Sequence, residues 1–176
     1  MKDRRIEDEY YQEWILRGVS RSFALTIPQL PARLRTPVAN AYLLCRIADT
    51  IEDESALSTA ATLASLRRFV AVVRGKDEPA RLVEELLPQL SGRTSPAERG
   101  LVRNMERIIR VNARLQASQR CAIESCVEVM FRTTSFHCGR AWIAWVARWI
   151  GSGWIWPLSR SSVFSSPPVS NTMVRP

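Results

Sequence analysis

Residues 42–54 read YLLCRIADTIEDE and bring together the side chains best suited to chemistry in this chain. Asp49 and Asp53 are four apart, Glu52 lies between them, and Arg46 sits one turn earlier. In a helix, positions three and four apart share a face, so Arg46, Asp49 and Asp53 would line one ridge, with Tyr42 a further turn back. Two carboxylates on a ridge suit a hard cation such as Mg²⁺, which keeps several waters and bridges to substrate phosphates. A guanidinium beside them suits the phosphate oxygens that such a metal would hold. The flanks are apolar, and charge on an otherwise buried helix is costly unless something pairs with it. The plainer alternative is a solvated helix face with weak ion pairs.

The ridge must be positioned by other elements. Upstream lies SRSFALTIPQLP, residues 20–31, which Pro28 and Pro31 should end. Thr36 and Pro37 read as the N-cap and first residue of the motif-bearing helix, predicted from Pro37 to about Glu54. A helix over residues 5–17 carries Ile6, Tyr10, Trp14 and Leu16 at helical spacing. Beyond the motif, Ser58 or Thr59 opens a helix ended by Gly75. A shorter one spans 78–90, and Ser95 with Pro96 starts one carrying Leu101, Val102, Met105, Ile108, Ile109 and Val111. A last periodic segment runs from Ser118 to Met130. With no alternating strand pattern and no glycine-rich phosphate loop, the expected class is all-α.

The S-x-S-F segment, followed by Y-x-x-x-R-x-x-D-x-x-x-D, closely resembles the squalene/phytoene synthase family, over residues 18–54 and more loosely to about 130. The D-T-x-E-D form looks like the squalene synthase branch. The resemblance implies the N-terminal part of an isoprenoid-synthase-type helical bundle and a prenyltransferase, farnesyl-diphosphate farnesyltransferase-like, that joins two farnesyl or longer prenyl diphosphates head to head. One diphosphate departs, the cation is captured by the second chain to give presqualene diphosphate, and a squalene synthase then rearranges and reduces this with NADPH. By resemblance, Asp49 and Asp53 would bind Mg²⁺, with Glu52 as an outer partner. Arg46, Ser20, Arg21 and Ser22 would contact diphosphate, Tyr42 would face the reacting prenyl groups, and Phe23 would wall the pocket. Ser20 or Ser22 as a helix cap, and Tyr42 as ordinary core, are the competing readings.

Composition bounds the rest. The 176 residues, 46% of them hydrophobic, suffice for one domain with a core. Cys45, Cys121, Cys126 and Cys138 form no metal-ligand spacing and read as buried thiols. The net charge of +8 divides unevenly: residues 1–130 hold all 17 acids against 20 bases, and residues 131–176 hold five arginines and no acid. Interleaved acids in the first part argue against nucleic acid as a partner. A non-catalytic basic helical module on anionic membrane or nucleic acid remains the alternative function. The start shows no signal peptide, so the expected location is cytoplasmic, with peripheral membrane association suited to an apolar product.

Two domains are therefore expected: a partial prenyl-synthase helical domain over 1–130 and an atypical Trp/Ser/Arg-rich tail over 131–176. The tail holds five of the six tryptophans and eight serines, and lacks the second aspartate-rich motif that the resemblance calls for. It reads first as out-of-frame translation, so that the catalytic half-site is recognisable and activity impaired. A membrane-interface segment over 141–158 and a genuine folded extension are the other readings of it. His137, the one histidine of the chain, lies in this tail without companion ligands.

Overall fold

The computed structural model describes residues 3–133, with side chains described to residue 129. The expectations for the tail beyond Thr133, His137 and the segment 141–158 included, concern residues outside the described ones. The elements are α1 (Arg4–Val19), α2 (Arg21–Thr26), a 3₁₀ turn (Ile27–Gln29), α3 (Ala32–Glu52), α4 (Thr59–Val73) and α5 (Pro79–Leu86). A second 3₁₀ turn (Leu87–Gln89), α6 (Pro96–Arg103), α7 (Met105–Arg114) and α8 (Ala117–Thr133) follow. No strand occurs among the described residues, and the protein is all-α.

Helix α3 is the axis of the bundle, with α1, α4, α6, α7 and α8 packed around it. Leu43, Leu44, Ile47 and Ile51 are completely buried in its middle. Each contributes roughly 1.5–3 kcal/mol of transfer free energy. Phe69 and Val72 of α4, Leu101 and Val102 of α6, Met105 and Ile108 of α7, and Ile123 and Val127 of α8 complete the same core.

The helix ends follow local chemistry. Ser58 caps α4 through Ala61 N–H at 3.3 Å. At its other end Gly75 takes φ of 66°, and the Lys76 and Gly75 amides return to the Ala71 and Val72 carbonyls at 2.8 and 3.0 Å. This paired closure needs a left-handed residue, which glycine adopts without strain. Ser95 and Glu98 form a reciprocal capping box at the start of α6.

Three expectations are corrected. The motif helix begins at Ala32 rather than Pro37, with Pro31 as its cap and Pro37 inside it. A proline there forgoes one helical hydrogen bond, and the additional turn before it, with Pro37 itself buried, outweighs the loss. The helix expected from Ser95 through Val111 is two, because Asn104 leaves helical geometry at φ −103°, ψ 23° and turns its side-chain amide back onto the Gly100 carbonyl at 2.9 Å.

In α1 the buried face is Asp8, Tyr11, Gln12, Ile15 and Leu16, while Ile6, Tyr10 and Trp14 are exposed. Polar residues go inside because their partners wait there. Arg110 grips Asp8 with Nε at 3.0 Å and Nη2 at 2.7 Å, and Arg114 adds two contacts at 3.2 Å. Gln12 donates to the Thr36 carbonyl at 3.1 Å and accepts from Asn40 Nδ2 at 3.0 Å; Asn40 also donates to the Ile108 carbonyl at 2.9 Å. Three helices are thus tied by one polar chain.

Burial pushes the Asp8 carboxyl up, and the hydrogen bonds and charges of Arg110 and Arg114 outweigh it, leaving its pKa below the ordinary value. Its stabilisation is therefore complete above the ordinary carboxylate range and lost as pH falls through the lowered value. Asp8→Ala should cost about 2–4 kcal/mol, somewhat below a fully buried pair because both guanidinium groups reach solvent. Urea unfolding at neutral pH measures this; a loss within error would show that the pair carries no net stability.

Candidate functional site

From Pro37 to Ile51 every residue of α3 is buried except Tyr42, Arg46 and Asp49. Their spacing of four and three residues makes one stripe, continued by the exposed Glu52 and Asp53. The stripe is the only side of this stretch that the bundle leaves open.

Two elements face it. At the Tyr42 end stands the start of α2. The Tyr42 ring lies 4.3 Å from that of Phe23, centroid to centroid, tilted by 30°. Ser20 caps α2 through Phe23 N–H at 3.3 Å, with its side chain near the Tyr42 hydroxyl. Burial pushes the Tyr42 hydroxyl above its ordinary pKa, against the opposing effects of Ser20 and Arg46. Arg21 and Ser22 lie on the exposed first turn of α2, where the Ser22 carbonyl accepts from Thr26 Oγ1 at 3.0 Å.

At the middle of the stripe stands α6. Arg46 Nη2 is bound to Glu98 Oε1, Nη1 lies 3.8 Å from Asp49 Oδ2, and Nε is buried without a hydrogen-bond partner. Glu98 received no role from the sequence. The S-P-A-E pattern marks it as a capping residue, but its partner is 52 positions away.

Glu54, just past the aspartates, explains how α6 reaches Arg46. It is buried, and its carboxylate accepts from Ala56 N–H at 3.0 Å, Ser91 N–H at 2.8 Å and Thr94 Oγ1 at 2.9 Å. From the other side Arg99 donates to the Leu87, Leu90 and Ser91 carbonyls at 3.4, 3.0 and 2.9 Å. The segment leading into α6 is thus held by a carboxylate and a guanidinium.

Asp49 shows the electrostatic character of the stripe. Burial lifts its pKa from 3.8 to about 6; Arg46 opposes the rise, while Asp53, Glu52 and Glu98 add to it. One guanidinium among four carboxylates leaves the site short of positive charge. Asp53 is the C-cap of α3, its amide donating to the Asp49 carbonyl at 2.8 Å. Among the described residues no group of three or more His, Cys, Asp or Glu could hold a metal ion. A cation held by Asp49 and Asp53 would have to draw its remaining ligands from water and substrate, and its charge would offset the burial and the neighbouring carboxylates that raise Asp49.

The sequence profile of squalene/phytoene synthase matches residues 16–141, and the chain belongs to that family. The match passes the boundary expected at residue 130. The chain is 46% identical over 63 residues to squalene synthase BSS of Botryococcus braunii, covering 36% of this chain and 14% of that one. It is 51% identical over 45 residues to a squalene synthase of Solanum lycopersicum, covering 26% and 11%. It is 44% identical over 55 residues to a lycopaoctaene synthase of Botryococcus braunii, covering 31% and 12%. The matched stretches thus span only a small part of these relatives' length. No solved structure matches the chain.

Two tests follow. A raised acid stabilises the fold while protonated, and that contribution disappears as pH rises through about 6. Asp49→Asn in metal-free buffer should raise the thermal midpoint near about pH 8 by on the order of 2–4 °C, with the gain gone in the ordinary carboxylate range. An unchanged midpoint at both pH values would show that Asp49 is not destabilised. Glu54 is the opposite case: burial raises it, but its hydrogen bonds with Ala56, Ser91 and Thr94 hold it at about 2. Glu54→Gln should cost about 1–3 kcal/mol at neutral pH. The deficit should shrink as pH falls from 4.5 toward about 2; equal stability of the two proteins at neutral pH would rule out the anchoring role.

Proposed function

We propose that this chain carries the diphosphate-handling ridge of a prenyltransferase that condenses two farnesyl, or longer, prenyl diphosphates head to head. The observation that carries this reading is the stripe Tyr42–Arg46–Asp49, alone left open on a buried helix of a squalene/phytoene synthase family member. The D-T-x-E-D motif and the identities to squalene synthases favour squalene or presqualene diphosphate as product. The lycopaoctaene synthase also aligns with the chain, at somewhat lower identity, which fits a ridge that handles the diphosphate while product choice lies elsewhere.

In this reading Arg46 binds diphosphate oxygens through the Nη1 side of its guanidinium, which the contact of Nη2 with Glu98 leaves without a close partner. Ser20 adds a neutral hydroxyl at the same end, and the exposed Arg21 and Ser22 approach the diphosphate from α2. The tilted Phe23–Tyr42 pair offers an apolar wall to the prenyl chain and excludes water from the reacting carbon. Asp49 and Asp53 would hold Mg²⁺, with Glu52 orienting its water; bound there, the metal supplies positive charge to the departing diphosphate. The reductive stage, which would use NADPH, is assigned to none of the described residues. We likewise keep residues 1–130 as the catalytic half-domain and 131–176 as a distinct tail.

The basic-module alternative finds less support. Many arginines are already matched within the fold: Arg68 with Asp77 and Glu85, Arg74 with Glu128, Arg110 and Arg114 with Asp8. No helix among the described residues is long and apolar enough to cross a membrane.

The test is incubation with labelled farnesyl diphosphate, with and without Mg²⁺ and NADPH. Weak Mg²⁺-dependent binding with little or no turnover is expected, because one carboxylate pair gives each ion few protein ligands. Asp49→Ala and Asp53→Ala should each weaken binding by about tenfold or more. Unchanged Mg²⁺-dependent binding in both variants would refute the site. Robust squalene or presqualene diphosphate formation, lost in Asp49→Ala, would refute the impairment.

A further inference from the structure

Arg46 is the one cation on the ridge, and a flexible arginine beside three carboxylates of its own helix has an obvious wrong place to go. It could fold onto Asp49 and Asp53, neutralising the groups that a metal needs and withdrawing itself from a ligand. The structure shows it drawn the other way: Nη2 is bound to Glu98, while Nη1 makes only a long ion pair with Asp49 at 3.8 Å. Glu98 is itself held: Oε2 accepts from Ser95 N–H at 3.0 Å, and its own amide donates to Ser95 Oγ at 3.2 Å. The loop before Ser95 is fixed in turn by Glu54 and Arg99. The chain of contacts runs from the end of α3, through the loop, into α6, and back to the middle of α3.

We propose that Glu98 is a positioning residue: from the capping box of α6 it keeps the Arg46 guanidinium from closing onto the aspartates and presents it to diphosphate. A carboxylate locked by its own helix start is a better anchor than a free one, since less side-chain freedom is lost when it pairs. Pairing through Nη2 leaves the Nη1 edge for a ligand. The inference rests on Arg46 as a diphosphate ligand, as argued above.

The test uses the full chain and the variants Glu98→Ala, Glu98→Gln, Ser95→Ala, Arg46→Ala and the double variant Arg46→Ala/Glu98→Ala. Two quantities are measured: affinity for farnesyl diphosphate at fixed Mg²⁺ by calorimetry, and the Arg46 Nε–H signal by ¹⁵N NMR. Glu98→Ala should weaken binding about tenfold, and the double variant should bind no more weakly than Arg46→Ala. Glu98→Gln, which keeps a neutral acceptor, should recover part of the loss. The Arg46 signal should be sharp in the parent and averaged in Glu98→Ala. Ser95→Ala damages the same helix start without removing the partner of Arg46, and should lower stability while keeping affinity.

Losses that multiply in the double variant, a Ser95→Ala defect as large as that of Glu98→Ala, or an Arg46 signal unchanged without Glu98 would each overturn the proposal. If Arg46→Ala binds like the parent, the diphosphate reading of the ridge fails. The NMR signal alone then decides whether Glu98 orders the guanidinium.

Discussion

The burial of α3 on all sides but one constrains everything else in this bundle. A helix enclosed by five neighbours can carry charge only where an opening is left, and here the opening coincides with Tyr42, Arg46 and Asp49. The surrounding apolar contacts fix the rotation of α3 about its axis, because turning it would drive an arginine and an aspartate into the core at a cost of several kcal/mol. The same packing that stabilises the fold therefore aims the ridge. It also raises Asp49, so the position that looks most useful for chemistry is one that opposes stability when ionised.

Polar contacts refine what the apolar core sets coarsely. Gln12, Asn40 and the Ile108 carbonyl connect α1, α3 and α7 in one buried chain, and one turn earlier on the same face of α1 Asp8 with its two arginines fastens α1 to α7. Hydrophobic contact tolerates sliding, whereas hydrogen bonds of this kind are made at one register or left unmade at a penalty. They give the helices a unique mutual placement, and the placement of α6 against Arg46 follows from it.

Much of this was legible in the sequence. Periodicity and caps located the helices from Ser58, 78 and Ser95 onward, and residue spacing alone grouped Tyr42, Arg46 and Asp49. The family was legible from the S-x-S-F and D-x-x-x-D segments. What sequence missed was every relationship between distant polar residues. Ile6, Tyr10 and Trp14 have the spacing of a core face, yet α1 turns Asp8 and Gln12 inward, because their partners on α7 and α3 make the polar face the better one to bury. The additional turn before Pro37 was hidden by a residue that ordinarily begins helices. Glu98 received no role from the sequence; it closes the capping box with Ser95, and nothing local showed that the same carboxylate reaches Arg46.

The segment between the second 3₁₀ turn and α6 has a further implication for how this fold can vary. Loops ordinarily absorb insertions and deletions with little penalty, since closure entropy grows slowly with length. This one is gripped by Glu54 on its amide and hydroxyl side and by Arg99 on its carbonyl side. One residue more or less would break both grips and slide the start of α6 along α3. Among homologous chains that keep both charged residues, the loop should therefore behave as a spacer of fixed length, varying in side chain but not in count.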